Sequence, residues 1–146
     1  MTIMKGDKIF VLRYNDNFVK DSMEIHKDVC DKHGFCWYGK AGKKPNVERI
    51  ISFIEDGTAK ILFYSRQAVY IGRLLEVSLS APEKGVPDYY ADSMWKPNFW
   101  FRVTHLSEVH LDILDKLLVN STGKTMKETI NSTMTSFFFT LAKEDI

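Results

Sequence analysis

A chain of 146 residues, 45% hydrophobic and 27% charged, can bury a core as a single domain without disulfide staples. Its formal net charge of +1 excludes a polybasic binder that holds phosphate over its whole surface, so a nucleic-acid contact must come from a local patch. The N-terminal residues lack a signal peptide's apolar stretch, no run reaches the roughly 18 apolar residues of a membrane helix, and two cysteines make no disulfide framework. The expected compartment is the cytoplasm.

Ile9-Phe10-Val11-Leu12-Arg13-Tyr14 reads as a buried opening strand, and Asn15-Asp16-Asn17 as a turn rich in helix-capping side chains. Apolar residues from Phe18 to Cys30 predict a helix over about 18–32, stopped by Gly34. A loop or short strand follows around Trp37. Val47 to Ile54 fits helical spacing, though its β-branched content also suits a strand. Ala59–Tyr64 and Ala68–Leu79 are strong strands joined as a hairpin, and Gly72 within the second predicts a bulge or a close backbone approach.

Residues 81–98, with Pro82, Pro87 and Pro97, read as a long irregular loop. Asn98–Leu106 returns to strand. Leu111–Val119 and Lys124–Met134 are expected helices, and Phe137–Leu141 is a closing strand able to pair with an early one. About five strands with interspersed helices predict an α+β fold, a mixed or antiparallel sheet or small β-barrel with flanking helices.

The most informative segment is Gly34–Pro45, where Trp37-Tyr38 is set between glycines and followed by Lys40, Lys43 and Lys44. An aromatic face stacks on a planar ring while nearby ammonium groups hold phosphate oxygens. Residues 31–49 carry a local excess of three positive charges. The competing expectation is that Trp37 plugs the core beneath the first helix and the lysines form a solvated turn. A second aromatic group, Tyr89-Tyr90, Trp95, Phe99 and Trp100, places Trp95 opposite Trp37 if the long loop folds over the hairpin.

His26, Cys30, His33 and Cys36 raise the question of a tetrahedral zinc site, but their spacing matches no common structural one. The plainer expectation is buried cysteine with exposed histidines. Neither cysteine sits in the surroundings of a known nucleophile. Gly123-Lys124-Thr125 lacks the earlier glycine of a phosphate loop and is expected to follow a helix instead of a strand. No metal or cofactor is expected.

With the order in view, Ile9–Tyr14, the glycine-bracketed Trp37, the run Tyr70-Ile71-Gly72-Arg73-Leu74-Leu75-Glu76-Val77, Pro87–Tyr90 and Trp100-Phe101-Arg102-Val103 come together. Over about residues 9–105 this chain resembles the PUA-like superfamily, closest to its EVE branch. It departs from that pattern in having Tyr38-Gly39-Lys40 after the tryptophan and a long first helix. The resemblance implies a small β-barrel that binds DNA or RNA without catalysis, and several such relatives recognise a modified base extruded into an aromatic pocket. It makes Trp37, Tyr38, Tyr64 and Trp95 pocket candidates, with Lys40, Lys43, Lys44 and Arg66 on the phosphate backbone. A protein partner is the second expectation, and a small thiol- or zinc-dependent enzyme the third.

Overall fold

A computed structural model describes residues 2–92 and 96–146. Its elements in chain order are β1 (Lys8–Arg13), α1 (Ser22–His33), β2 (Cys36–Lys40), α2 (Val47–Ile54), β3 (Lys60–Tyr64), β4 (Val69–Ser78), β5 (Phe99–Val109), β6 (Leu117–Val119), α3 (Met126–Thr129) and β7 (Phe137–Ala142). The fold is α+β: seven strands form one mixed sheet in the order β2-β5-β4-β3-β1-β7-β6. β1 runs parallel to β3 and antiparallel to β7, so the closing strand does pair with the opening one. Among the described residues, no helix is long and apolar enough to cross a membrane.

Alternation along the strands makes two cores. Phe10, Leu12, Ile61, Phe63, Leu74, Phe99, Phe101 and Phe139 point to one face, under Met23 and Cys30 of α1 and Ile50 and Phe53 of α2. Ile9, Val11, Leu62, Val69, Ile71 and Phe138 point to the other, against Ile113, Leu117 and Met126.

The sheet is curled around the first core. In a flat sheet β1 and β5 would stand three strand spacings apart, about 14 Å, yet the rings of Phe10 and Phe101 meet at 5.5 Å. Tyr38 on β2 likewise reaches Phe63 on β3 at 4.7 Å, and the Lys40 ammonium lies 5.7 Å from the Phe137 ring on β7. Among the described residues no ladder joins the outer strands β2 and β6, so the sheet is not closed.

Bulges help to set this curl. The β4–β5 register shifts between Ile71 and Arg73, opposite His105, whose φ is 55°. A Cβ on Gly72 would lie 2.6 Å from Val103 Cγ1 and 2.9 Å from the Thr104 carbonyl oxygen. The glycine is there because two backbones approach.

Two expected helices come out differently. Residues 111–119 form a 3₁₀ turn, Leu111–Lys116, and then β6, because Leu117 and Val119 pair with β7 and are buried on one face. The stretch 124–134 holds only α3, four residues capped by Thr125 and Glu128. Val47–Ile54 is helical, with Asn46 accepting the Arg49 N–H and only Ile50 and Phe53 buried. α1 begins at Ser22, later than the spacing predicts. Asp21 adopts a left-handed conformation, and Asp16 caps the helix from upstream by accepting the Ser22 N–H and hydroxyl.

Candidate functional site

The outer edge of β2 organises the site. β2 pairs through Cys36, Tyr38 and Lys40, which leaves the amides of Trp37 and Gly39 facing outward. The segment after β4 supplies both acceptors. The Trp37 N–H donates to the Gly85 carbonyl at 2.8 Å, and the Gly39 N–H donates to the Tyr90 hydroxyl at 2.8 Å. Tyr90 stands in a 3₁₀ turn, Asp88–Asp92, within the expected long loop.

That hydroxyl is also a donor. His26 is fully buried on α1, its Nδ1 2.8 Å from the Ser22 carbonyl and its Nε2 2.9 Å from Tyr90 Oη. A carbonyl only accepts, so Nδ1 carries the proton and Nε2 accepts from Tyr90. The relay runs from the Gly39 amide through Tyr90 and His26 to the Ser22 carbonyl. Burial depresses the His26 pKa to about 4, and the Ser22 hydrogen bond only partly opposes that shift. The imidazole is neutral, and both its nitrogens are used.

Around this relay lies a cavity of about 580 Å³, bounded by Tyr14, Phe18, Val19, Tyr38, Tyr89, Tyr90 and Pro97, with Arg13, Lys40 and Asp92 among its polar groups. Tyr89 and Tyr90 stack at 4.4 Å, and Tyr38 lies 5.1 Å from the His26 ring. Burial raises the Tyr89 hydroxyl to about 12 and pushes those of Tyr38 and Tyr90 up as well, so all three stay protonated.

A second cleft of about 700 Å³ shares the wall Arg13-Tyr14-Asn15 and Ser136 with the first. It opens where the parallel strands β1 and β3 end, lined by Asp16, Tyr64, Ser65, Arg66, Gln67 and Asn131. Arg13 donates through one terminal nitrogen to the Ile130 carbonyl, while its buried Nε has no hydrogen-bond partner among the described residues. Arg66 is exposed, and with Tyr64 it also borders a smaller cavity holding Lys127.

The residues singled out from sequence separate into groups. Tyr38 and Lys40 line the tyrosine cavity, and Tyr64 and Arg66 line the arginine cleft. Trp37 is buried, but it lies on the sheet face opposite Tyr38 and lines neither cavity, as alternation along a strand demands. It is therefore a core residue, though not beneath α1. Trp95 lies outside the described residues. Lys43 and Lys44 are exposed on the turn after β2 and line neither cavity.

Lys40 is largely buried, and its ammonium donates to the carbonyls of Ala41, at 3.1 Å, and Lys43. Burial first, and then the Lys43 charge, lower its pKa. The expected exposed histidines hold for His33 but not for His26, and the described residues contain no cluster of three metal-ligating side chains. Arg13, Tyr14 and His26 were not assigned these places by sequence. The available signal for the first two was their position at the end of a buried strand, before an Asn-Asp-Asn turn.

The chain matches no protein-family model, no curated protein and no solved structure.

Proposed function

We propose that this chain is a non-catalytic nucleic-acid-binding module of PUA-like, EVE-type architecture that takes an unpaired base into the tyrosine cavity. The observation carrying the proposal is the joining of two cavities of different chemistry along one wall, Arg13–Asn15 and Ser136. The first offers aromatic faces in about 580 Å³, within the size range of small-ligand sites. The second offers guanidinium groups where the adjoining phosphates would pass. The curled sheet supports the PUA-like reading, since its inner face wraps one core as a barrel's does.

In this mechanism the protein supplies stacking and charge, and no bond changes. Tyr89 and Tyr38 flank the base, the His26–Tyr90 relay fixes one wall, and Arg66 and Arg13 hold the strand. The relay's nitrogens and hydroxyl are already engaged, so base selectivity rests on shape and stacking more than on that relay. A modified base differs from a plain one in that same shape.

The test is fluorescence anisotropy with short single-stranded DNA and RNA, plain and carrying modified bases, across a salt series. Binding that weakens linearly in log–log form, with a slope of about −0.7 per phosphate contacted, is expected. Tyr89→Ala should weaken it roughly tenfold or more, the value of one stacked base. No binding at low salt to any of these oligonucleotides overturns the proposal in favour of a protein partner.

A further inference from the structure

Cys30 lies in the last turn of α1, and Cys36 opens β2. Between them Gly34, with a φ of 84°, ends the helix and donates its N–H to the Cys30 carbonyl at 2.8 Å. That left-handed cap reverses the chain within a few residues, as glycine allows without strain. Both side chains then enter the same part of the core. Their sulfurs are 2.7 Å apart, with Cys30 Sγ also 3.5 Å from the Val103 carbonyl oxygen. Both cysteines are free thiols.

Two sulfurs at that separation lie inside ordinary van der Waals contact. A disulfide bond is about 2.05 Å long, so the remaining approach is well under 1 Å. We propose that Cys30 and Cys36 form a reversible dithiol–disulfide couple, closed by an oxidant of the hydroperoxide class.

The thiolate of Cys30 attacks one peroxide oxygen and breaks the O–O bond. With hydrogen peroxide this gives a Cys30 sulfenic acid and a hydroxide, which takes up a proton as water. The thiolate of Cys36 then attacks the Cys30 sulfur, forming the S–S bond and expelling a second hydroxide, which is protonated in turn. The two thiols lose two electrons and two protons together, and hydrogen peroxide is reduced to two waters.

Cys30 is the first to react because it is the more exposed of the pair, 6% against 1%. Its contact with Cys36 also draws its pKa down, whereas that contact and burial push Cys36 up. Thiolate character governs attack of this kind.

The experiment is peroxide treatment of the reduced, folded full chain, followed by denaturation, alkylation and mass analysis of intact protein and peptides. The expected product has lost two hydrogens, takes up no alkyl group, and contains one peptide pair joined through Cys30 and Cys36. Dithiothreitol restores two alkylatable thiols. The cross-link constrains a short loop, so the oxidised form should melt roughly 5–10 °C higher. A Cys36→Ser chain should stop at a sulfenic acid on Cys30 that dimedone captures. Two thiols still alkylatable after peroxide, oxidation to sulfinic acid without pairing, or a disulfide only between chains each overturn the proposal. The wild-type peptide map decides even if the variant does not fold.

Discussion

The tyrosine cavity and the arginine cleft share a wall, yet they differ in what they have left to offer. In the first, the Tyr90 hydroxyl and both His26 nitrogens are already committed within the protein. What remains is ring surface. In the second, Arg66 is exposed and the Arg13 guanidinium lines the wall. What remains is charge. One side offers shape, the other charge. Perturbing the relay should therefore change folding, while perturbing the exposed Arg66 should change salt-dependent binding and leave folding nearly alone.

The largest expected effect is on stability against pH. His26 is neutral in the fold down to about pH 4, whereas in the unfolded chain it takes a proton near its ordinary value of about 6.5. Between those values the unfolded state binds more protons, so its stabilising share is complete above about 6.5 and is lost as pH falls towards 4. The loss is of the order of 3 kcal/mol. Urea unfolding at pH 7 and pH 4.5 measures it. His26→Gln should have a flatter profile, and an unchanged slope in that variant would refute the assignment.

Next in size is Tyr90→Phe. It strands the Gly39 amide and His26 Nε2 together, and a buried unsatisfied group costs roughly 1–3 kcal/mol. A loss of about 2 kcal/mol is expected, with the pH slope moved, since the neutral imidazole has lost its donor. Denaturant titration checks it. If Tyr90→Phe costs nothing, the relay is not what holds the loop on β2.

The strands were legible in the sequence because short buried runs such as Ile9–Leu12 and Ile61–Phe63, bounded by polar residues and rich in β-branched and aromatic side chains, favour a sheet. The hairpin, the Gly72 approach and the pairing of the last strand followed from the same patterns. Leu111–Val119 failed for a physical reason. Leu111, Leu114, Leu117 and Leu118 satisfy helical spacing, but the edge of β7 supplied a partner that turned 117–119 into strand. Tyr38 and Tyr64 were singled out by the family resemblance, but their separation into two cavities could not be read from it. That depends on how far the sheet curls, and curl arises from contacts such as Phe10 with Phe101, distant in sequence. Trp37 drew attention as the largest ring beside lysines, and strand alternation turned it to the other face. His26 read as an exposed histidine because its partner, Tyr90, is 64 residues away.

The smallest effect separates two sets of positive charge. Sequence proximity favours Lys43 and Lys44, which sit beside the aromatic pair. Geometry favours Arg66, which borders the arginine cleft while the two lysines line neither cavity. A guanidinium also presents a fork of donors to phosphate, whereas an ammonium acts as a point charge. For single-stranded oligonucleotides, Arg66→Ala should reduce the salt slope by about 0.7 and weaken binding a few-fold, with the melting temperature nearly unchanged. Lys43→Ala combined with Lys44→Ala should move the slope less than that single change does. If the double lysine variant has the larger effect, the strand leaves the tyrosine cavity along the turn after β2, and the arginine cleft is not its path.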